Sequence, residues 1–246
     1  MYRAPRGTHD LLPDAADVHR QIATVAEHVA GLAGFRTIET PTFENADIFI
    51  RGVGAGTDIV EKEMYTFDDK GGARMALRPE GTASICRAYL EHGMSNDLQP
   101  SKFQYILPIF RYERPQAGRF RQHTQFGIEA IGVRDPALDA EVIDIGWRIT
   151  QELGLDNLTL LINSIGDKTD RESYVPILRA HFDPHLPAMC GDCQARHKRA
   201  PLRLLDCKKT SCTPFQSNAP EIREHLRSES RDFFEAVKEN ISAIGI

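Results

Sequence analysis

FRYERPQAGRFRQHTQFGIEAIG, residues Phe110–Gly132, reads as two strands facing each other across a long cationic loop. Ile106 to Glu113 is β-branched and aromatic enough for one strand, and Gln125 to Ile131 alternates well enough for its partner. Between them, Pro115 donates no ladder hydrogen bond and Gly118 invites a turn. The two-residue period of a strand then sorts the side chains. Phe126, Ile128 and Ala130 fall on a face suited to a core, while Gln125, Gly127 and Glu129 fall on the other as an amide, a gap and a carboxylate. An interior strand glycine often leaves room for a ligand. Arg111 and Glu113 share a face of the first strand, and the loop adds Arg114, Arg119 and Arg121. Arginines grouped in this way make a polyphosphate site, because guanidinium stays charged and binds phosphate oxygens bidentately. The plainer reading is a solvated cationic loop.

Away from the hairpin, the chain is ordinary in composition. Its 246 residues suffice for one large α/β or α+β domain, or for one domain with an appendage. A net charge of −5 excludes a global basic field for nucleic acid, so any RNA contact must be local. No apolar run is long enough to span a bilayer, and MYRAPRGTHD lacks the apolar core of a signal peptide, which implies a cytoplasmic protein with no membrane partner. Five cysteines without a secretory signal argue against a disulfide framework.

Taken in order, Asp14 is placed to cap a helix running to about Leu32, with Val18, Ile22, Val25, Val29 and Leu32 as its apolar stripe. Gly31 and Gly34 end it, and Phe35 to Pro41 reads as a short edge strand that fits either a dimer interface or the capped edge of a monomer. Phe43 to Asp58 reads as loop, and its Gly52, Gly54 and Gly56 carry little weight as a nucleotide fingerprint because no strand precedes them as required. A hairpin around Asp69-Lys-Gly-Gly leads to Arg78-Pro-Glu-Gly-Thr, which presents Glu80 and Thr82 before a helix from Ala83 to His92. Both side chains fit helix caps as readily as a binding site. Asp139 is placed to cap a helix from Ala140 to Leu153, with Ile143, Trp147 and Ile149 pointing to burial, and Leu158 to Ile162 alternates like a strand.

From Lys168 the composition changes to charged helical segments around a cysteine cluster, which sets a boundary between 1–167 and 168–246. Cys190-Gly-Asp-Cys193 and Cys207-Lys-Lys-Thr-Ser-Cys212 resemble the paired ligands of structural zinc, the second pair being wider than usual. Reduced thiols, some of them buried, are the other reading, and His197 is an alternative ligand.

The ordered set of motifs resembles one family. Phe110 to Gly132 resembles motif 2 of class II aminoacyl-tRNA synthetases, and Gly34-Phe-Arg-Thr-Ile-Glu-Thr-Pro-Thr-Phe-Glu resembles their motif 1. The wording is similar to histidyl-tRNA synthetases in particular: Arg6-Gly-Thr-His-Asp, Leu77-Arg-Pro-Glu-Gly-Thr, Phe110-Arg-Tyr-Glu-Arg-Pro-Gln, Gln125-Phe-Gly-Ile-Glu, Asn163-Ser-Ile-Gly and Pro201-Leu-Arg-Leu-Leu-Asp. This resemblance implies an α+β fold, an antiparallel sheet flanked by helices with a mainly helical insertion region, in a homodimer built through motif 1. It implies attack of the histidine carboxylate on the α-phosphate of ATP with Mg²⁺, then transfer of the acyl group to tRNA(His). Arg111 would hold the α-phosphate as the catalytic residue. Glu80, Gly81, Thr82, Gln125 and Glu129 would bind histidine, with Glu129 facing the imidazole. Arg119 and Arg121 would reach the outer phosphates, Glu113 would lie near adenine or the tRNA end, and adenine stacking would either rely on His123 or be weaker, since His123-Thr124 stands where the family carries an aromatic followed by His.

The resemblance also implies that a second histidine motif with its arginine, motif 3 and an anticodon-binding domain lie beyond Ile246. On that expectation the sheet is incomplete and the 246-residue chain is inactive and aggregation-prone alone. The competing class is the regulatory subunit of ATP phosphoribosyltransferase, a non-catalytic paralogue, which need not keep the hairpin arginines together with Gln125 and Glu129. A third, a zinc-dependent RNA-binding module, conflicts with the acidic net charge.

Overall fold

A computed structural model describes residues 2–246 apart from Ala55, Gly56, Asp58 and Ala117. Its chain divides into two units, Met1–Asn157 and Leu158–Ile246.

In the first unit, Pro13 starts helix α1 (Pro13–Leu32) with a ring already set at the helical φ. Asp14 lies inside the first turn, where it favours the helix dipole; it is not the cap expected, because Leu12 holds that position. The expected stripe is buried only in part. Ala26, Val29 and Ala30 are buried, whereas Val18, Ile22 and Leu32 are 58%, 44% and 75% exposed, so the N-terminal half of α1 and its last residue present apolar side chains to solvent. Gly34, at φ 81°, reverses the chain, and the Phe35 amide returns to Ala30 O at 3.0 Å. The edge strand β1 (Arg36–Thr37) runs parallel to β5 (Ser101–Phe110), which pairs antiparallel with β6 (Gln122–Ile131) from Ser101↔Ile131 to Phe110↔Gln122. β5 thus starts and ends earlier than its sequence implied, the pairing closing with the Arg111 amide on Arg121 O at 2.9 Å just past the strand end.

The segment from Phe43 is more ordered than the loop expected there. β2 (Phe43–Asn45) leads into α2 (Ala46–Val53), whose first turn is capped by the Asn45 side chain accepting from the Asp47 amide at 2.9 Å. Gly56 lies outside the described residues. β3 (Thr66–Asp68) and β4 (Arg74–Leu77) form the expected hairpin, in a sheet ordered β2-β4-β3, with Asp69 Oδ1 accepting the Gly71 and Ala73 amides at 2.8 Å. Then come α3 (Thr82–Glu91) and α4 (Pro136–Glu152), the latter capped by Asp135 and not by Asp139, since Pro136 fixes the helix start one residue after Asp135.

The β5–β6 face that carries Phe126, Ile128 and Ala130 packs on Ala26, Val29, Phe35, Ile145 and Ile149 of the α1–α4 side. On the opposite face Tyr105, Leu107 and Ile109 pack on Ile85 of α3, each fully buried aliphatic contributing about 2 kcal/mol. Arg78 joins the two sheets. Only 2% exposed, it donates from Nε to Pro108 O at 2.8 Å and from Nη1 to Thr40 O at 2.8 Å and Pro41 O at 3.2 Å.

In the second unit, Leu158 to Ile162 keeps its alternation of half-buried and exposed side chains but pairs with no strand among the described residues, so the expected strand is extended chain without a ladder. Helices α5 (Lys168–Phe182), α6 (Gly191–Arg199), α7 (Thr213–Gln216) and α8 (Ser228–Ala243) follow. Their core joins Tyr174, Leu178, Phe182, Met189, Leu204, Ile222 and Leu226 with Cys193 and Cys212. Asp167 and Asp170 form a reciprocal capping box at the start of α5. Asp170, fully buried, also accepts from the Ser230 hydroxyl and from the Arg227 amide at 2.9 Å. Burial alone would raise its pKa, but these donors and the Arg227 guanidinium outweigh it and hold the carboxyl well below the usual range.

Candidate functional site

On β6, residues His123, Gln125, Gly127 and Glu129 share the face expected of alternate strand positions, across from Ile109, Leu107, Tyr105 and Phe103. The gap at Gly127 is not left for a ligand. A Cβ there would lie 2.2 Å from Tyr105 Cζ, and one at Gly81 would lie 2.6 Å from the same ring, so both glycines are spent on seating Tyr105 between them. Tyr105 was not singled out in the sequence, although an aromatic cross-strand from a glycine is a recurrent pairing that could have flagged it. Its hydroxyl is 3.5 Å from Gln125 Nε2, and burial with the nearby Glu129 carboxylate pushes its pKa up to about 12. It therefore stays a neutral phenol, which accepts from Gln125 Nε2.

Thr82, the first residue of α3, donates its hydroxyl to Glu129 Oε1 at 2.6 Å. Burial raises the Glu129 pKa, the Thr82 hydrogen bond opposes the rise and the Glu80 charge adds to it. Glu80 itself accepts the Ala83 amide at 3.0 Å, which is the capping role. Gly81, Thr82, Gln125, Glu129 and Tyr105 therefore form one polar constellation at the start of α3. A groove of about 1030 Å³ shares Glu80 and Thr82 with it and continues along Asn45, Asp47, Cys86 and Arg87; Arg111, Gln125 and Glu129 are not among its lining residues.

The arginines gather at the hairpin end. Arg111 donates from Nε to Pro79 O at 2.7 Å, leaving its outer nitrogens turned toward Glu113, with Nη1 3.9 Å from Glu113 Oε1. Arg119 reaches Glu113 Oε2 at 3.3 Å. Arg121 is held more firmly: Nε donates to Glu113 O at 3.2 Å, the guanidinium lies 3.7 Å over the Tyr112 ring, and its amide donates to Gly7 O at 2.7 Å. Gly7, at φ 85°, has no room for a Cβ because Arg121 Cγ would be 2.7 Å away, so the Arg6-Gly-Thr-His-Asp segment serves to seat this arginine. His123, half-buried, has its pKa lowered by burial and by the Arg111 cation, which keeps the ring neutral at neutral pH. A neutral imidazole, a carboxylate and three cations lie along one end of the hairpin, an arrangement suited to an anion beside a polar organic group.

In the second unit the Sγ atoms of Cys190, Cys193, Cys207 and Cys212 lie within 4.8 Å of one another, a group that could hold a metal ion. His197 is instead placed with Nε2 3.1 Å from Asp183 Oδ1. No helix among the described residues is long and apolar enough to cross a membrane.

Comparison with known proteins matches residues 7–166 to the family model described as histidyl-tRNA synthetase. The chain is 47% identical over 246 residues to a histidine–tRNA ligase of Dehalococcoides mccartyi, covering all of this chain and 59% of that protein. It is 47% identical to that of Bacillus subtilis, covering 58% of it. Apo histidyl-tRNA synthetase of S. aureus superposes with a TM-score of 0.78 at 38% identity, over all of this chain and 56% of that one. A protein from Bacillus halodurans titled as an ATP phosphoribosyltransferase regulatory subunit/histidyl-tRNA synthetase shares the fold, with a TM-score of 0.68 at 20% identity, over all of this chain and 66% of that one. The chain thus spans little more than half the length of the curated relatives it matches.

Proposed function

Because the chain belongs to the histidyl-tRNA synthetase family, we propose that it supplies the adenylation face of a histidine–tRNA ligase, which joins histidine to ATP and passes the acyl group to tRNA(His). In this reading residues 1–167 are the class II catalytic core with motifs 1 and 2, and 168–246 the insertion region. The observation that supports it most is the Thr82–Glu129 hydrogen bond, which fixes a carboxylate on the polar row beside Gln125. That carboxylate accepts from the substrate imidazole, Glu80 and Thr82 receive the amino group, and Gln125 orients the carboxylate that attacks.

ATP enters as its Mg²⁺ complex. Arg111, aligned by Pro79 O, binds the α-phosphate and stabilises the charge that grows there as pyrophosphate leaves. Arg119 and Arg121 take the outer phosphates, while Glu113 and His123 border the adenine. The chemistry needs no protein nucleophile, since both reactants need only be held in line with their charges neutralised. The protein works in the cytoplasm as a homodimer through the motif 1 edge around β1, and the four-cysteine cluster takes a structural zinc ion.

The regulatory-subunit reading is weaker, since that likeness is one of fold at 20% identity. Histidine-dependent ATP–pyrophosphate exchange tests the choice, run on the 246-residue chain and on a polypeptide continued to the length of its relatives. We expect exchange in the longer protein, none in the shorter, and a loss of at least about 100-fold in Arg111→Ala. Silence in the longer protein would transfer the assignment to the regulatory class.

A further inference from the structure

Every residue assigned to histidine or ATP belongs to Met1–Asn157, whereas Cys190, Cys193, Cys207 and Cys212 all belong to Leu158–Ile246. Four of the chain's five cysteines converge there, and Cys86 belongs to α3.

Local structure brings the sulfurs together. Cys190 is the N-cap of α6 and Cys193 lies in its first turn, so the two intervening residues turn both side chains to one side of the helix start. The second pair is wider, and the chain takes up the slack with turns: the Cys212 amide donates to Lys209 O at 2.9 Å, and Gln216 Nε2 clasps the carbonyls of Leu204, Leu205 and Cys207 at 2.9, 3.0 and 2.9 Å. The two halves then meet. Cys190 Sγ lies 3.8 Å from Cys207 Sγ, and the Cys190 amide points at Cys212 Sγ at 3.4 Å.

Tetrahedral thiolates at a zinc–sulfur distance of about 2.3 Å stand about 3.8 Å apart, so this edge is already at the bound spacing. An amide donating to a ligating sulfur is the outer-sphere contact that such sites use to orient and tune their ligands. The sulfurs are also part of the unit's own core: Cys193 and Cys212 are fully buried among Tyr174, Leu178, Phe182 and Leu204, and the described members of that cluster belong to Leu158–Ile246. Four thiols facing one another there satisfy each other poorly, while a divalent ion displaces their protons to solvent and replaces weak S–H contacts with four bonds.

We propose that Cys190, Cys193, Cys207 and Cys212 bind one zinc ion whose presence decides whether Leu158–Ile246 is folded, while Met1–Asn157 folds without metal. This rests on zinc being the ion that the cluster takes, and the two parts are tested separately on the full chain, purified reduced. Elemental analysis should give one zinc per chain, and Co²⁺ in its place should give the thiolate charge-transfer and tetrahedral visible bands of a four-sulfur site. Cys193→Ser and Cys212→Ser should lose both signals, and Cys86→Ser should keep them. Amide hydrogen exchange then reads the fold of the wild-type chain before chelation, after it, and after zinc is returned. Amides of Tyr174, Leu178 and Phe182 should lose protection and regain it, while those of Gln104, Tyr105, Ile106, Leu107 and Ile109 stay protected throughout. Reduced protein that takes up neither Zn²⁺ nor Co²⁺ overturns the metal assignment. Full uptake with unchanged protection along α5 keeps the metal and overturns its control of folding, as does loss of protection in both units together.

Discussion

The β5–β6 hairpin and the cysteine cluster each gather polar or reactive side chains, but they hold them by different means. On the hairpin three charged groups lean on something fixed: Arg111 on Pro79 O, Arg121 on Glu113 O and the Tyr112 ring, Glu129 on Thr82. Those contacts are made within the chain itself, which is the preorganisation that electrostatic catalysis draws on. The sulfurs of Leu158–Ile246 lean mainly on one another and on apolar neighbours, so their arrangement invites a central ion. The lesson is that a rigid polar site stores its organisation in backbone carbonyls, while a metal site keeps part of its organisation in the metal.

The largest expected effect probes whether the two units stand alone. Asp170→Ala removes the acceptor for Ser230 and for the Asp167 and Arg227 amides, and should cost Leu158–Ile246 about 3 kcal/mol. Differential scanning calorimetry should show one transition falling and the other unmoved; a common shift would break the contrast. Next, Gly127→Ala drives a methyl into the Tyr105 ring and should destabilise Met1–Asn157 by about 2 kcal/mol, read from its urea midpoint, with histidine binding weakened through the displaced Gln125.

Thr82→Val should cost about 1 kcal/mol and raise the Glu129 pKa further, followed by carboxyl carbon NMR. Because the folded Glu129 carboxyl already lies above its ordinary 4.5, its contribution to stability is complete below that pH and lost as the pH rises through the folded value. Glu129→Gln should remove that slope. The smallest effect is at His123, whose folded pKa lies below 6.5: its contribution is present above 6.5 and lost as the pH falls through the folded value. His123→Gln should flatten the acid side of the melting profile, and a slope that persists would assign it to other histidines.

How far the sequence foretells each region follows from the same contrast. The hairpin faces were legible because strand period is a local property: Phe126, Ile128 and Ala130 do lie on the core side and Gln125 with Glu129 on the other. Tyr105 was not, because its place depends on two glycines from different elements closing over one ring. Asn45 and Asp135 displaced the expected loop and the expected cap, since several polar residues near a helix start compete for the cap and tertiary fit decides. Val18 and Ile22 show the limit of periodicity, which says which side chains share a face and leaves open whether anything covers that face. Leu158 to Ile162 has the alternation of a strand without a partner, and pairing is a property of two segments.

The buried Arg78 bears on how this scaffold responds to load. Its flat head grips carbonyls of the chain ahead of β2 and of β5 at once, acting as a rivet between two plates. Sliding one sheet past the other would pull the buried guanidinium off the Pro108 carbonyl while Thr40 and Pro41 still held it, so shear between the plates is resisted. A lysine, with one nitrogen in place of three, would hold the same plates by a single point and let them pivot.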